Sequence, residues 1–142
     1  MDAMTFLREH VSLFSGVDDE NMIALSRSSE LANYKAGQTI LFKGTTVEGL
    51  HVVVNGEVGV YVKATNKAMV RVSELGSCEV FGEMSIVEMG TAGATIKAET
   101  DTLVLMIPQE AFRHVLQQDE AFAVRVNMLI TSRRSAPTSV PA

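Results

Sequence analysis

The stretch VFGEMSIVEMGTAGATIKAE, residues 80–99, joins a glycine and a carboxylate to a short helix-forming run and then to a turn of small residues that leads into a strand. Gly82 permits a close backbone approach, and Glu83 carries only hydrogen-bond acceptors at neutral pH. Such a segment is typical of loops that cradle a phosphate at the start of a helix. This one is incomplete, because no cation lies between Glu83 and Lys97.

Short strands surround this segment. From Ala32 to Ile107, runs of about five residues rich in β-branched side chains alternate with turn formers such as KAG, NGE and TNK. The predicted strands are QTILF, LHVVV, EVGVYV, AMVRV, ATIKA and TLVLMI. Asn55–Gly56 predicts a hairpin, since both residues tolerate positive φ, and YVKATNKAMVRV predicts another. Many short strands at close spacing indicate a sandwich, roll or barrel.

Helices are predicted on both sides of the strands. TFLREHVSLF is apolar at helical spacing, and Asp18 is the predicted N-cap of a second helix. After Pro108 the pattern is helical again, with a break at which Asp119 would cap the final helix. This order predicts an α+β fold: an antiparallel β-roll of the jelly-roll type with helices packed at one end. The domain is expected to span residues 1–135, followed by a disordered tail at 136–142.

The final helix has two apolar stripes. The first is expected to face the core and consists of Phe122, Val126, Leu129 and Ile130. The second, Val124 and Met128, lies on roughly the opposite face. It indicates either a homodimer through an identical helix or scattered apolar residues on the surface.

Composition excludes several classes of function. The 142 residues carry a formal net charge of -5, which disfavours nonspecific nucleic-acid binding. A single cysteine, Cys78, and the lack of a signal peptide predict a cytoplasmic protein, and no apolar run approaches the ~20 residues of a membrane helix. The histidines lack metal-ligand spacing and no nucleophile motif occurs, so neither a metal site nor an enzyme is expected.

Four segments together resemble the cyclic nucleotide-binding domain of the catabolite-activator and kinase-regulatory type. They are FLREHVSLFSGVDDENMIAL (residues 6–25), YKAGQTILFKG (34–44), GLHVVVNGEVGVYV (49–62) and FGEMSIVEMGTAGATIKAETDTLVLMIPQEAF (81–112). They occur in the family's order, and FGE followed by A-T-I-x-A is their most specific part. The resemblance implies a β-roll that holds a cyclic nucleotide, with a C-terminal helix as a lid.

The resemblance also implies roles for residues 82–94, here called the cassette. Gly82 would let the backbone pass close to the sugar-phosphate, and Glu83 would accept a hydrogen bond from the ribose 2′-hydroxyl; a plain surface carboxylate is the simpler alternative. The next two residues would open a short helix towards the anion, small residues would line the turn below the phosphate, and two valines would contact the base. The candidate ligand-binding residues are Val60, Val72, Phe81, Gly82, Glu83, Met84, Ser85, Ala92, Gly93 and Ala94.

Ala92 departs from the family's pattern. TAGAT stands where the family has P-R-A-A-T, so the arginine that pairs with the cyclic phosphate is missing. Removing one partner of a buried charge pair costs about 2–5 kcal/mol, or roughly thirty-fold to a few thousand-fold in affinity. Arg71 and Lys97 are the nearest cations in sequence, and both are expected to point away from the pocket. Cys78 is a second departure, because the family usually has glycine there.

Two interpretations follow. In the first, the chain is a non-enzymatic regulatory sensor with no required cofactor, and cyclic AMP or cyclic GMP binds weakly or not at all. In the second, it is a degenerate domain that serves as a protein-interaction or dimerisation module. Too few residues follow the last helix for the helix-turn-helix of activator-type relatives, so this chain alone is not expected to bind DNA. No membrane partner is expected.

Overall fold

The structure, a computed structural model, describes residues 2–88 and 90–135. Its strands are β1 (Glu30–Tyr34), β2 (Thr39–Leu41), β3 (Gly49–Asn55), β4 (Val58–Lys63), β5 (Met69–Leu75), β6 (Val80–Phe81), β7 (Thr95–Ala98) and β8 (Thr102–Pro108). Its α-helices are α1 (Ala3–His10), α2 (Asp19–Arg27), α3 (Glu83–Val87), α4 (Gln109–Gln118) and α5 (Glu120–Ser135), with a 3₁₀ turn at Ser12–Phe14. The predicted tail, residues 136–142, lies outside the described residues.

The strands form two antiparallel four-stranded sheets. The first sheet has the order β1-β8-β3-β6, and the second has the order β2-β7-β4-β5. Buried valine, leucine and isoleucine side chains from both sheets join one core with apolar residues of the helices. The predicted α+β roll with helices is therefore confirmed, whereas the exact domain limits stay a prediction.

The prediction of a hairpin at Asn55–Gly56 is wrong. The chain does turn there, and Gly56 has φ 105°, but β3 belongs to the first sheet and β4 to the second. The register of β3 against β8 shifts between Val53 and Asn55, and the turn then carries the chain across to the other sheet. A side chain on Gly56 would collide with Thr102, since its Cβ would lie 2.6 Å from Oγ1. The local cue marks a turn correctly but cannot say which strands pair.

The second predicted hairpin is confirmed. β4 and β5 pair in antiparallel register from Val58 opposite Leu75 to Lys63 opposite Met69. Lys67 in the connecting turn has φ 67°, in the left-handed region that side chains disfavour. β1 and β6 are not predicted from the sequence, because ELANY is weakly β-branched and β6 has only two residues.

The predicted helix caps are present. The Asp18 carboxylate accepts a hydrogen bond from the Asn21 N–H at 2.8 Å, and the Asp119 carboxylate accepts one from the Phe122 N–H at 3.0 Å. Both satisfy an amide that the first helical turn leaves without a partner. The Phe122 ring packs on Phe14 with a centroid distance of 5.4 Å, so α5 is held against the 3₁₀ turn.

The two stripes of α5 are also as predicted. Phe122, Val126 and Ile130 are buried, and Leu129 is partly buried against the core. Val124 and Met128 are exposed by 51% and 66%. Within residues 2–88 and 90–135, no helix has the combination of length and apolar character that crossing a membrane requires.

Candidate functional site

Glycine at position 82 is required by the backbone at the start of the cassette. Gly82 has φ 96° and precedes α3, so it occupies a conformation that other residues rarely adopt. A Cβ there would lie 3.1 Å from both the Gly49 carbonyl oxygen and Val47 Cγ1. The cassette therefore starts in close contact with β3. Because Glu83 directly follows Gly82, this contact fixes where the Glu83 side chain begins.

Glu83 is a buried carboxylate, not a surface one. It is 1% exposed, and its Oε1 accepts a hydrogen bond from Arg133 Nη1 at 2.5 Å. Arg133 Nη2 donates to the Val80 carbonyl oxygen, so the guanidinium joins α5 to both β6 and the cassette. A planar guanidinium that donates from two nitrogens fixes the relative positions of its two acceptors better than an ammonium group would. The alternative of a plain surface carboxylate is therefore wrong.

The second oxygen of Glu83, Oε2, differs from the first. Oε2 is buried and accepts no hydrogen bond within the described part of the chain. Burial raises the pKa of the Glu83 carboxyl above its usual value, and the positive charge of Arg133 opposes this shift. The site thus holds a buried acceptor that a donor from a ligand or a water could satisfy.

The remaining cassette is tied by backbone contacts. Ser85 Oγ donates to the Thr91 carbonyl oxygen at 3.1 Å, which closes the loop after α3. The Ala92 N–H donates to the Thr45 carbonyl oxygen at 2.9 Å, and the Ala92 oxygen accepts from the Gly44 N–H at 2.8 Å. Ala92 itself is 2% exposed, so its methyl group lies in the core. The turn at 44–45 and the end of the cassette are therefore one connected unit.

The cations considered from sequence are engaged elsewhere, as expected. Arg71 Nη1 lies 3.5 Å from Glu99 Oε1, and Lys97 Nζ lies 5.1 Å from the centre of the Tyr61 ring. Neither contacts Glu83. The cation that does is Arg133, which the sequence analysis interpreted only as a basic residue at a helix end. Nothing in TSRRS indicates such a partner, because the pairing spans 50 residues and depends on how α5 packs.

The ten candidate residues all lie inside the fold or at its margin. Val72 and Gly93 are half-buried and the other eight are buried. Val60 lies opposite Ile96 of β7 in the second sheet, so it belongs to an apolar wall rather than to the cassette. The structure places residues 81–85 in one continuous segment and brings 92 and 94 into the same core. Their role in ligand binding stays a prediction.

Comparison with known proteins identifies relatives of this chain. Residues 31–119 match the family described as the cyclic nucleotide-binding domain. Lysophospholipase nte1 of Aspergillus terreus is 29% identical over 104 residues, which cover 73% of this chain but only 7% of that protein. The catabolite activator protein of Thermus thermophilus superposes with a TM-score of 0.74 at 27% identity, covering 85% of this chain and 57% of that one.

Another solved structure shares the fold at lower identity. It is the regulatory subunit of a cAMP-independent protein kinase A from Trypanosoma brucei, solved as a triple variant bound to cAMP. It superposes with a TM-score of 0.79 at 18% identity and covers 96% of this chain and 47% of that one. The family match covers more than half of the chain and runs through the cassette and both sheets. This chain therefore belongs to the cyclic nucleotide-binding domain family.

Proposed function

We propose that this domain is a non-enzymatic regulatory sensor whose cassette takes a cyclic mononucleotide and transmits its presence to α5 through Glu83. The observation that carries the proposal is the Glu83–Arg133 ion pair, which joins the cassette directly to α5. One carboxylate would serve both the ligand and the helix. Any ligand that changes the environment of Glu83 must then change the affinity of α5 for the roll, and the reverse coupling is equal in size.

The two carboxylate oxygens of Glu83 support the proposal that this residue serves both the ligand and α5. Oε1 of Glu83 is occupied by Arg133, while the buried Oε2 has no donor among the described residues. Leaving a buried acceptor unsatisfied costs about 1–3 kcal/mol. A ribose hydroxyl is a donor of the right kind, and it would bind to Oε2 without displacing the guanidinium from Oε1.

Weak affinity for the phosphate follows from Ala92. Its methyl group offers neither charge nor hydrogen-bond donor, and Arg71 and Lys97 contact other groups. We propose that cyclic AMP and cyclic GMP bind this chain at least about thirty-fold more weakly than a site with the phosphate-pairing arginine.

The test is a titration with cyclic AMP and with its 2′-deoxy analogue, followed by calorimetry and by hydrogen exchange of α5. Cyclic AMP at millimolar concentration should change the exchange rates of α5 amides. The deoxy analogue should bind about tenfold more weakly, because it leaves Glu83 Oε2 unpaired. Equal binding of the two nucleotides, or binding without any change in α5, would contradict the proposal. Glu83→Gln is the matched variant and should remove the response of α5.

A dimerisation module is the second candidate function. The observation that favours it is the exposure of Val124 and Met128, which lie on the face of α5 away from the core. Two exposed apolar side chains at i and i+4 form a stripe that a second copy of α5 would cover. Sensing and dimerisation are compatible, because Arg133 and this stripe lie on the same helix.

A further inference from the structure

A cavity lies between the edge strands of the two sheets. It has a volume of about 320 Å³ and is bounded by β1, β8 and β3 of the first sheet, by β2, and by the connection from β2 to β3. None of the described residues in the range 80–94 lines it, so it is separate from the described part of the cassette. Small-molecule sites in proteins begin at about this size. The lining residues that bear on its chemistry are Glu30, Tyr34, Phe42, Glu48, His51 and Met106.

His51 is a buried polar side chain that lines this cavity. The side chain is 7% exposed, and its ring stacks on Phe81 with a centroid distance of 4.8 Å. Nδ1 lies 3.0 Å from the Gly49 carbonyl oxygen, so in the neutral ring Nδ1 must carry the hydrogen and Nε2 must be the acceptor. Burial lowers the pKa of His51 to about 4, which keeps the ring neutral at physiological pH.

The charges around the cavity all favour a cation. Glu30 and Glu48 contribute carboxylates, and the lining residues that the structure describes include neither a lysine nor an arginine. Tyr34 and Phe42 contribute aromatic rings, and Phe42 is 60% exposed. Carboxylates and the faces of aromatic rings both attract positive charge. The same groups disfavour an anion, so this cavity is unsuited to a nucleotide phosphate.

We propose that this cavity is a binding site for a small organic amine, that is, an ammonium group carried on an apolar or aromatic body. An N–H of the ammonium donates to His51 Nε2, and Glu30 and Glu48 balance its charge. The body packs between the aromatic rings and Met106. This site does not depend on the proposed function of the cassette, although a Cβ at Gly82 would lie 3.7 Å from His51 Nδ1, so the two sites are neighbours.

The experiment is an NMR titration of the full chain with benzylamine, benzyl alcohol and phenylacetate, which share an aromatic body and differ in charge. Benzylamine should give saturable shifts in the amides of β1 and in the His51 imidazole nitrogens. Benzyl alcohol should bind about tenfold more weakly, and phenylacetate should bind more weakly still. Equal binding of benzylamine and benzyl alcohol, or no saturation by benzylamine up to about 10 mM, would overturn the proposal.

Variants test the named groups. His51→Phe keeps an aromatic ring on Phe81 but removes the acceptor, and it should weaken benzylamine binding about tenfold. Because this change is buried, the surface double variant Glu30→Gln/Glu48→Gln provides an independent test and should weaken binding by a similar factor. Glu110→Gln, on the exposed side of α4, is the control and should have no effect. Unchanged affinity in the double variant would contradict the site.

Discussion

Arg133 and Glu83 are 50 residues apart in the chain, yet their side chains meet at 2.5 Å and join the last helix to the cassette. A second ion pair of the same length, Arg8–Asp19, lies on the surface, where the two side chains are exposed by 38% and 79%. The corresponding exposures for Arg133 and Glu83 are 21% and 1%. The two pairs therefore share the same N–O distance but differ strongly in burial, and the exposed pair can serve as a control for the buried one.

Arg133→Leu should destabilise the fold strongly. It leaves the Glu83 carboxylate buried without its counter-charge, and such a loss costs about 3–5 kcal/mol at neutral pH. Arg8→Leu should cost less than about 1 kcal/mol, because water screens the exposed pair. Urea unfolding of both variants measures the difference. Equal losses of unfolding free energy would show that burial of Glu83 is not what makes its pair matter.

The cost of Arg133→Leu should shrink on acidification. Burial raises the pKa of the Glu83 carboxyl, so the folded state binds this proton more tightly than the unfolded state does. The stability that the folded state gains from binding this proton is fully present below pH 4.5, the pKa of the unfolded state. It is lost as the pH rises through the higher pKa of Glu83 in the folded state. Loss of the guanidinium raises the pKa further. Urea unfolding at about pH 5 and pH 7.5 should therefore show a smaller penalty at the lower pH.

His51 should produce the opposite pH dependence. Its pKa falls from 6.5 to about 4 on burial, so the unfolded state binds more protons between these values. The contribution of His51 to stability is present above pH 6.5 and lost as the pH falls towards 4, by about 3 kcal/mol in total. His51→Phe should flatten this part of the curve of unfolding free energy against pH. Parallel curves for the two proteins would contradict the assignment.

Ala92→Arg should restore a phosphate partner. We expect cyclic AMP to bind at least about tenfold more tightly to this variant, measured by calorimetry. Ala92→Met is the control, because it adds similar length without charge and should give no gain. A dissociation constant below about 10 μM for the unaltered chain would contradict the view that its cassette binds phosphate poorly.

Cys78→Gly should stabilise the protein. Cys78 has φ 73°, a left-handed conformation that costs a side-chain-bearing residue about 1 kcal/mol relative to glycine. Lys67, with φ 67° in the exposed turn between β4 and β5, is the matched position. Thermal unfolding should show a gain for Lys67→Gly and a smaller one for Cys78→Gly, since the cysteine also packs against the core. A loss of stability in both variants would rule out backbone strain.

The exposed stripe of α5 predicts a dimer in solution. Light scattering should give twice the mass of one chain, and the variant Val124→Glu/Met128→Glu should give the mass of a monomer. The control is Glu110→Gln, which changes the surface of α4 and should leave the mass unchanged. If light scattering gives the mass of one chain for the unaltered protein, the dimerisation proposal is contradicted.

Local features of the fold could be predicted from sequence, and the reason is physical. Asp18 and Asp119 cap helices through bonds to amides three residues away, so the pattern that predicts the cap also contains its partner. The hairpin of β4 and β5 is equally local. The cassette can be recognised in the sequence because FGE and ATIKA are short contiguous motifs.

Non-local features could not be predicted. Asn55–Gly56 looks the same in sequence whether the following strand pairs with β3 or crosses to the second sheet, and only the packing of both sheets decides this. The partner of Glu83 depends on the direction in which α5 crosses β6. Likewise, His51 lines a cavity formed by strands from four separate parts of the chain.

The position of β8 has a consequence for synthesis on the ribosome. This strand lies between β1 and β3, so β1 has no hydrogen-bonding neighbour in its sheet until Thr102–Pro108 has been made. A nascent chain that stops before β8 leaves β1 unpaired and leaves the β8-facing edge of β3 exposed. Such exposed strand edges promote aggregation. Folding of this domain must therefore wait for the end of translation of its last strand, and early truncations should be degraded rather than accumulate as a half-formed roll.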